Sequence, residues 1–375
     1  MFSLGGYIMF GAKKNFGFGC MRLQMNGSEV DHKEFTKMVD AFMEAGFNYF
    51  DTAHVYIDGK SETALRECLT SRYPRESYVL TNKLSPSNFS TQQEIRPLLD
   101  LQLKACGVEY FDFWLMHAMG AELFAKYKAC NAFETALELK AEGKIKHLGI
   151  SFHDKAEVLR QILTEYPQIE AVQIQFNYAD YEDENVESRK CYEVCREFGK
   201  PVIVMEPVKG GALVNLPYEA DKVLKSLRGG SNASYAIRFA AGFEGVFMVL
   251  SGMGNMEMME DNLSFMQEFK PLDETELAAI DKVRTILKNQ DTIPCTDCRY
   301  CLAGCPVSIS IPQLFKIYND KKQLKENCSK ADYAKLTENS AKASRCIECG
   351  NCESACPQHL KIRELLKEVA KEFED

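Results

Sequence analysis

Four side chains that can move protons stand at the ends of three short apolar segments. Residues 47–56 (FNYFDTAHVY) begin as a buried strand over 47–50, closed off by Gly46. They then turn polar, with a carboxylate at Asp51 and a phenol at Tyr56 on a loop beyond the strand. Residues 78–83 (YVLTNK) read as a second strand ending in the amine of Lys83, and residues 111–117 (FDFWLMH) as a third ending in the imidazole of His117. One Asp after a strand is ordinarily a turn residue or a helix cap. Three successive strands ending in Asp/Tyr, Lys and His suggest more, because strand ends in a parallel α/β protein are where reactive groups collect. A phenol with its ordinary pKa near 10 exchanges protons poorly at neutral pH. An ammonium within roughly 4–6 Å lowers that value, and a carboxylate can hold the ammonium in place. With His117 orienting a carbonyl oxygen, the set would be a general acid for carbonyl reduction, the hydride arriving from elsewhere.

A second chemistry is written in the cysteines. Of 15 in the chain, eight fall in two groups of identical spacing, Cys295-x2-Cys298-x2-Cys301-x3-Cys305-Pro306 and Cys346-x2-Cys349-x2-Cys352-x3-Cys356-Pro357. This is the run of a bacterial two-cluster ferredoxin, in which three cysteines hold one [4Fe–4S] cube and the fourth reaches across to the other. By that pattern Cys295, Cys298, Cys301 and Cys356 hold one cluster, and Cys346, Cys349, Cys352 and Cys305 the second. Zinc also accepts four thiolates, but its sites pair two CxxC knuckles, and a third Cys followed by Cys-Pro has no purpose there. Cubes that exchange cysteines lie close together, which suits electron transfer; stapling the domain is the alternative role. The segment 306–345 is longer than the usual ferredoxin spacing and looks helical, so a helical variant of the module is expected. The remaining cysteines (20, 68, 106, 130, 191, 195 and 328) are expected to be small hydrophobes.

The elements that must position the first set follow from apolar periodicity. A strand starts at 16–22 and enters a glycine-permitted turn, and a helical stripe at Phe35, Met38, Val39, Phe42 and Met43 ends at Gly46. Strands then alternate with helices: 47–50 with a helix from Ser61, 78–82 with 91–106, 111–117 with 130–142, and 146–151 with 155–165. The series continues as 171–176 with 185–198, 201–206 with 231–242, and 246–251 with 256–268. Eight short apolar strands alternating with helices predict an α/β fold, a closed (β/α)8 TIM barrel, rather than an open sheet. No Gly-x-Gly-x-x-Gly follows the first strand, so a doubly wound dinucleotide fold is not supported. A capping-box start at Asp273 and Glu276 opens a further helix, and helices are expected from Ser310 and over 361–370. The expected division is a barrel over 1–285 and a small, mainly helical ferredoxin-like domain over 286–375.

Composition narrows the function classes. At 375 residues the chain suits one large and one smaller domain. Hydrophobic residues at 46 % with 26 % charged are those of a soluble globular protein. A net charge of −9 argues against nucleic acid or an anionic membrane as partner. No apolar run reaches the roughly 18 residues of a membrane helix, and the first six residues lack the basic start and apolar core of a signal peptide. A cytoplasmic location is expected, where a reducing environment favours metal ligation over disulfides.

Together, GFGCMRL near the start, DTAHVY, TNK, LMH and GIS make residues 15–270 resemble the aldo-keto reductases. The resemblance implies that Asp51, Tyr56, Lys83 and His117 form that family's catalytic tetrad, with Tyr56 as the acid. It also implies NADPH or NADH lying extended across the C-terminal face of the barrel. Ser151 and Gln173 match positions that hold the nicotinamide carboxamide, the Lys209-Gly210-Gly211 loop lies where the pyrophosphate is covered, and Asp261 and Asn262 retain the acidic-amide pair beside adenine. Several positions depart from the family pattern. Met205 stands where many members stack an aromatic on the nicotinamide, and Phe152 where an Asn follows the carboxamide-binding Ser. Gly252 and Met258 stand where NADPH-preferring members carry Lys and Arg.

The appended module resembles a less studied branch of the family and sets a chemical mismatch, since nicotinamide gives two electrons as hydride whereas each cube passes one. A flavin would couple the two, but no flavin motif is evident; a flavin without a readable motif, a partner flavoprotein or ferredoxin, and a substrate reduced in single-electron steps stay open. The expected function is an oxidoreductase that reduces an aldehyde or ketone, or oxidises the matching alcohol, with hydride from a nicotinamide cofactor and a link to iron–sulfur electron transfer. The alternative is a ferredoxin-fed reductase or electron-transfer subunit that does not use nicotinamide. Loops 84–90, 118–127 and 213–230 are expected to set the substrate.

Overall fold

Eight parallel strands close a barrel in chain order in the computed structural model, which describes residues 9–324 and 328–374, the side chains of 323, 324, 328 and 329 excepted. They are β1 (Phe16–Gly19), β2 (Tyr49–Asp51), β3 (Val79–Leu84), β4 (Phe111–Met119), β5 (Ile145–Phe152), β6 (Ala171–Gln175), β7 (Val202–Met205) and β8 (Val246–Ser251), and β8 pairs back to β1. This is the (β/α)8 barrel that the alternation predicts. The first six residues and the thiol of Cys328, both used in the sequence reading, lie outside the described residues. Among the described residues no helix is long and apolar enough to cross a membrane.

The barrel forms because each connecting helix has one apolar face to bury. In the first, His32–Glu44, Phe35, Met38, Val39 and Phe42 of the expected stripe are buried and Met43 is half-buried, and the Asp31 side chain caps the start by accepting from the Glu34 N–H. A capping box at Thr91 and Glu94 leads into the helix Ile95–Cys106. Inside the barrel, alternate strand residues, among them Tyr49, Phe113, Leu115, Ile203, Met248 and Leu250, fill the space. The glycine of GIS has a packing reason here, because a Cβ at Gly149 would lie 2.5 Å from the Leu115 side chain and 2.8 Å from the Ala171 carbonyl oxygen.

Several expected boundaries are corrected. The strand expected at 47–50 is β2 at Tyr49–Asp51. Phe47 is drawn off because its N–H closes the preceding helix on the Phe42 carbonyl, and the Asn48 side chain accepts from Lys13 N and donates to Gly11 O. Asp51 is therefore the last strand residue rather than a loop residue, its backbone paired with Gly19 on one side and Thr81 on the other. Lys83 likewise sits within β3. The segments read as substrate loops at 118–127 and 213–230 carry helices, Ala121–Ala129 and Tyr218–Lys225. The helix expected from 130 begins at Ala132, since Asn131 has φ +47°. A hairpin of Met25–Asn26 and Glu29–Val30 was not expected.

The chain forms two compact units. One runs up to Pro207 and resumes over Gly229–Leu277; the other comprises Val208–Arg228 and the chain from Ala278 onward. In the second unit, helices Ile311–Leu324 and Cys328–Thr337 occupy the segment between the cysteine groups, as its length suggested, and Ile362–Phe373 closes the fold. Ile309, Leu314, Phe315, Tyr318, Leu366 and Val369 are central to its small core.

Candidate functional site

The period of two along a strand that packs the barrel interior also aims the site. Two residues beyond Tyr49, Leu115, Gly149, Ala171 and Ile203 come Asp51, His117, Ser151, Gln173 and Met205, at the C-terminal ends of their strands; Lys83 follows Thr81 in the same way. Lys83 has no exposed surface. Its Nζ donates to Asp51 Oδ1 at 2.6 Å and to the Thr52 carbonyl at 2.8 Å, and lies 4.6 Å from the centre of the Tyr56 ring. The Gln173 amide donates to the other Asp51 oxygen at 3.2 Å. The Tyr56 and His117 rings meet edge to face, with centroids 5.9 Å apart. The structure thus brings Asp51, Tyr56, Lys83 and His117 into one neighbourhood.

Burial sets the electrostatics. It pushes the Asp51 carboxyl above the ordinary carboxylate range, while the Lys83 ammonium and the Gln173 amide pull it back. Burial also holds His117 well below its ordinary value, reinforced by Lys83 and His153, so its imidazole is neutral at pH 7. His117 Nδ1 shares a 2.7 Å hydrogen bond with the Ser85 hydroxyl, itself buried. Ser85 was read only as part of a substrate loop; its spacing of two from Lys83, on the same strand face, was the signal for it.

A buried polar network behind Tyr56 also escaped the sequence reading. The Glu62 side chain, without exposed surface, accepts from Asn82 Nδ2 at 2.8 Å and bonds His54 Nδ1 at 2.8 Å. Ser61 Oγ bonds Thr52 Oγ1 at 2.7 Å and donates to the Cys20 carbonyl at 2.8 Å. These contacts fasten the 52–62 segment at both ends. A Glu and a Ser on the inner face of a short helix, Lys60–Leu65, were the clue.

Of the residues matched to nicotinamide, Ser151 and Gln173 pair in register on β5 and β6, with Met205 Sδ 3.9 Å from Ser151 Oγ. Asp261 accepts from Ser231 Oγ, and Asn262 from Ser251 Oγ at the end of β8. Lys209, Gly210 and Gly211 form a turn of the second unit, where Lys209 Nζ donates to Gln358 Oε1 at 3.4 Å.

The thiols of the second unit gather as two sets. Burial pushes Cys295 and Cys301 up to about 12, and the neighbouring thiols of Cys298 and Cys356 add to the effect on both. Cys356 therefore joins the first three, across more than fifty residues of chain. Cys305, Cys346, Cys349 and Cys352 line one open pocket, with Val307, Ile309 and Leu366 among its apolar walls. No group of His, Cys, Asp or Glu among the described residues is arranged to hold a single metal ion. Four thiols around an open space match the larger cubane, and the Ile309 N–H already points at Cys305 Sγ, 3.4 Å away. Six of the other cysteines, Cys20, Cys68, Cys106, Cys130, Cys191 and Cys195, are buried.

Residues 15–285 match the profile of the aldo/keto reductase family, nearly the whole of the barrel. The chain belongs to this family. Residues 294–360 match the 4Fe–4S dicluster domain, so the aldo/keto reductase barrel is followed by a two-cluster module. Among curated relatives, methylglyoxal reductase YeaE of Escherichia coli is 34 % identical over 118 residues, covering 32 % of this chain and 39 % of that protein. The aldo-keto reductase str7 of Strobilurus tenacellus is 27 % identical over 209 residues, covering 52 % and 59 %. The chain thus spans less than two thirds of the length of these relatives. The fold is shared with an aldo-keto reductase from Klebsiella pneumoniae solved with NADPH, with a TM-score of 0.60 and 19 % identity over 72 % of this chain and 90 % of that one. It is also shared with AKR11C1 from Bacillus halodurans, with a TM-score of 0.58 and 23 % identity over 72 % and 91 %.

Proposed function

We propose that this aldo/keto reductase reduces an aldehyde or ketone to the alcohol, with Tyr56 as general acid, and that its clusters link the barrel to a one-electron redox partner. The observation that carries the reading is the buried ammonium of Lys83, clamped by Asp51 and the Thr52 carbonyl and held 4.6 Å from the Tyr56 ring. A cation fixed there favours the phenolate that remains after the proton has gone to the carbonyl oxygen, which lowers the barrier to its transfer. Asp51 keeps Lys83 from turning away. Neutral His117, its Nδ1 occupied by the Ser85 hydroxyl, has Nε2 left to orient the carbonyl oxygen without competing for the phenol's proton.

A bound nicotinamide would supply the hydride to the carbonyl carbon. The donor set fits such a ring: Ser151 and Gln173 offer a hydroxyl and an amide on adjacent strands, suited to a carboxamide, with the apolar Met205 beside them. The NADPH complex of the Klebsiella pneumoniae relative supports the same reading. Gly252 and Met258 themselves supply no basic pair for NADPH, and the side chain packed against Gly252 is that of Arg22.

A second reading, a barrel fed by reduced ferredoxin and not by nicotinamide, draws on the two-cluster module that follows the barrel. Anaerobically purified protein, mixed with NADPH or NADH and an aldehyde panel that includes methylglyoxal, tests the first reading. Cofactor oxidation that disappears in Tyr56→Phe is the expected result. Oxidation that survives the substitution, or no nucleotide binding alongside turnover with reduced ferredoxin, would reject it.

A further inference from the structure

The segment that follows β7 is built into the cradle of the first cluster. Lys209 and Gly210 both have positive φ, +48° and +62°. For Lys209 this is a strained conformation that persists only where the surroundings over-determine it. Two contacts do so. A Cβ on Gly210 would stand 2.3 Å from the Thr296 carbonyl oxygen and 2.8 Å from its Cα, so the two backbones pack with no room for a side chain. Lys209 Nζ reaches Gln358 Oε1. Thr296 and Gln358 are buried, and each flanks a thiol of the same set. Thr296 follows Cys295, and Gln358 lies two residues after Cys356.

We propose that Lys209 and Gly210 are positioning residues through which occupancy of the Cys295/Cys298/Cys301/Cys356 cluster holds the 208–214 turn in place. Four thiols far apart in the chain have no reason to stay together without the group they bind, so metal binding and local folding are one equilibrium. Releasing Cys295 from Cys356 moves Thr296 and Gln358 apart and removes both clamps on the turn. Its own backbone bonds are few: Gly211, Leu213 and Val214 donate to Val208, Val208 and Gly211, and Ala212 to Lys209. None of residues 208–214 lines the pocket around Cys305, Cys346, Cys349 and Cys352. The proposal rests on the two-cluster part of the functional reading and not on the carbonyl chemistry.

Amide hydrogen exchange of the full chain tests this, with clusters loaded anaerobically and after removal of iron with a chelator. Exchange at 211–214 should quicken at least tenfold on iron removal while the strands β2 to β6 keep their protection. In the loaded protein, Gly210→Ala should quicken the same amides, and Cys356→Ser should do so while Cys305→Ser does not. Equal protection with and without iron, a loss spread evenly through the barrel strands, or a Gly210→Ala protein with the parent's exchange would each overturn the proposal. The readout needs neither nucleotide nor carbonyl, so it stands even where Tyr56→Phe leaves cofactor oxidation unchanged.

Discussion

Replacing Lys83 by Met tests the pair at the centre of the site. The side chain has no exposed surface, and its ammonium donates at 2.6 and 2.8 Å to Asp51 and to the Thr52 carbonyl. Met fills similar space but leaves Asp51 buried with only the Gln173 amide beside it. Breaking a buried ion pair by removing one partner costs about 3–5 kcal/mol. At roughly 2–4 °C per kcal/mol this lowers the melting temperature by some 6–20 °C. A pH signature separates this cost from simple mispacking. Burial already pushes the Asp51 carboxyl up, and losing Lys83 pushes it further. A carboxyl raised above its unfolded value stabilises the fold at low pH, and that contribution is lost as pH rises from the unfolded value through the folded one. The variant should therefore lose less stability at pH 5 than at pH 8, and adding Asp51→Asn should recover most of the loss at pH 8. Trp114, the one tryptophan, is buried in β4, so its fluorescence reports melting of the barrel alone. A Lys83→Met barrel that melts like the parent at pH 8, or a double variant no more stable than the single, would refute the argument.

Further outcomes follow from other contacts. Ser85→Ala removes the partner of His117 Nδ1 in a buried site, at a cost of about 1–3 kcal/mol; at roughly 2–4 °C per kcal/mol the Trp114 melt should fall by some 2–12 °C, and carbonyl turnover by about tenfold or more in kcat/KM. Hydrogen bonding to Glu62 raises His54. Protonated His54 thus adds stability that is full below its ordinary value near 6.5 and lost as pH rises through the raised one, a dependence that Glu62→Gln should erase from the barrel's melting curve. Cys305→Ser should remove one cluster, seen as roughly half the iron and one lost signal in electron paramagnetic resonance, with the Cys295 set retained. Gly149→Ala forces a methyl against Leu115 and the Ala171 carbonyl and should destabilise the barrel by about 1–3 kcal/mol, read on the same fluorescence melt.

Much of the fold was legible because it is written in local patterns. The stripe at Phe35, Met38, Val39 and Phe42 has one helical solution, and eight such alternations of strand and helix leave the closed barrel as the natural arrangement. Boundaries were less legible where a polar side chain competes for the backbone. Asn48 spends its amide on Lys13 and Gly11 and so shortens β2, an exchange between residues far apart in sequence that no window around residue 48 contains. Helices Ala121–Ala129 and Tyr218–Lys225 were read as loops because their apolar stripes are interrupted by charge.

For the site, residue types alone suggested the chemistry proposed above. A carboxylate, a phenol, an amine and an imidazole at successive strand ends, and two CxxCxxCxxxCP runs, are informative because few other roles require them together at those spacings. Their surroundings were a matter for tertiary structure. That Ser85 holds His117, that Glu62 ties His54 to Asn82, and that Gly210 lies against Thr296 all depend on distances between segments that the chain order leaves undetermined. The physical reason is one of range. Spacing and periodicity act over a few residues, whereas burial, close approach and the desolvation that shifts a carboxyl or an imidazole exist only once distant strands have closed around the same space.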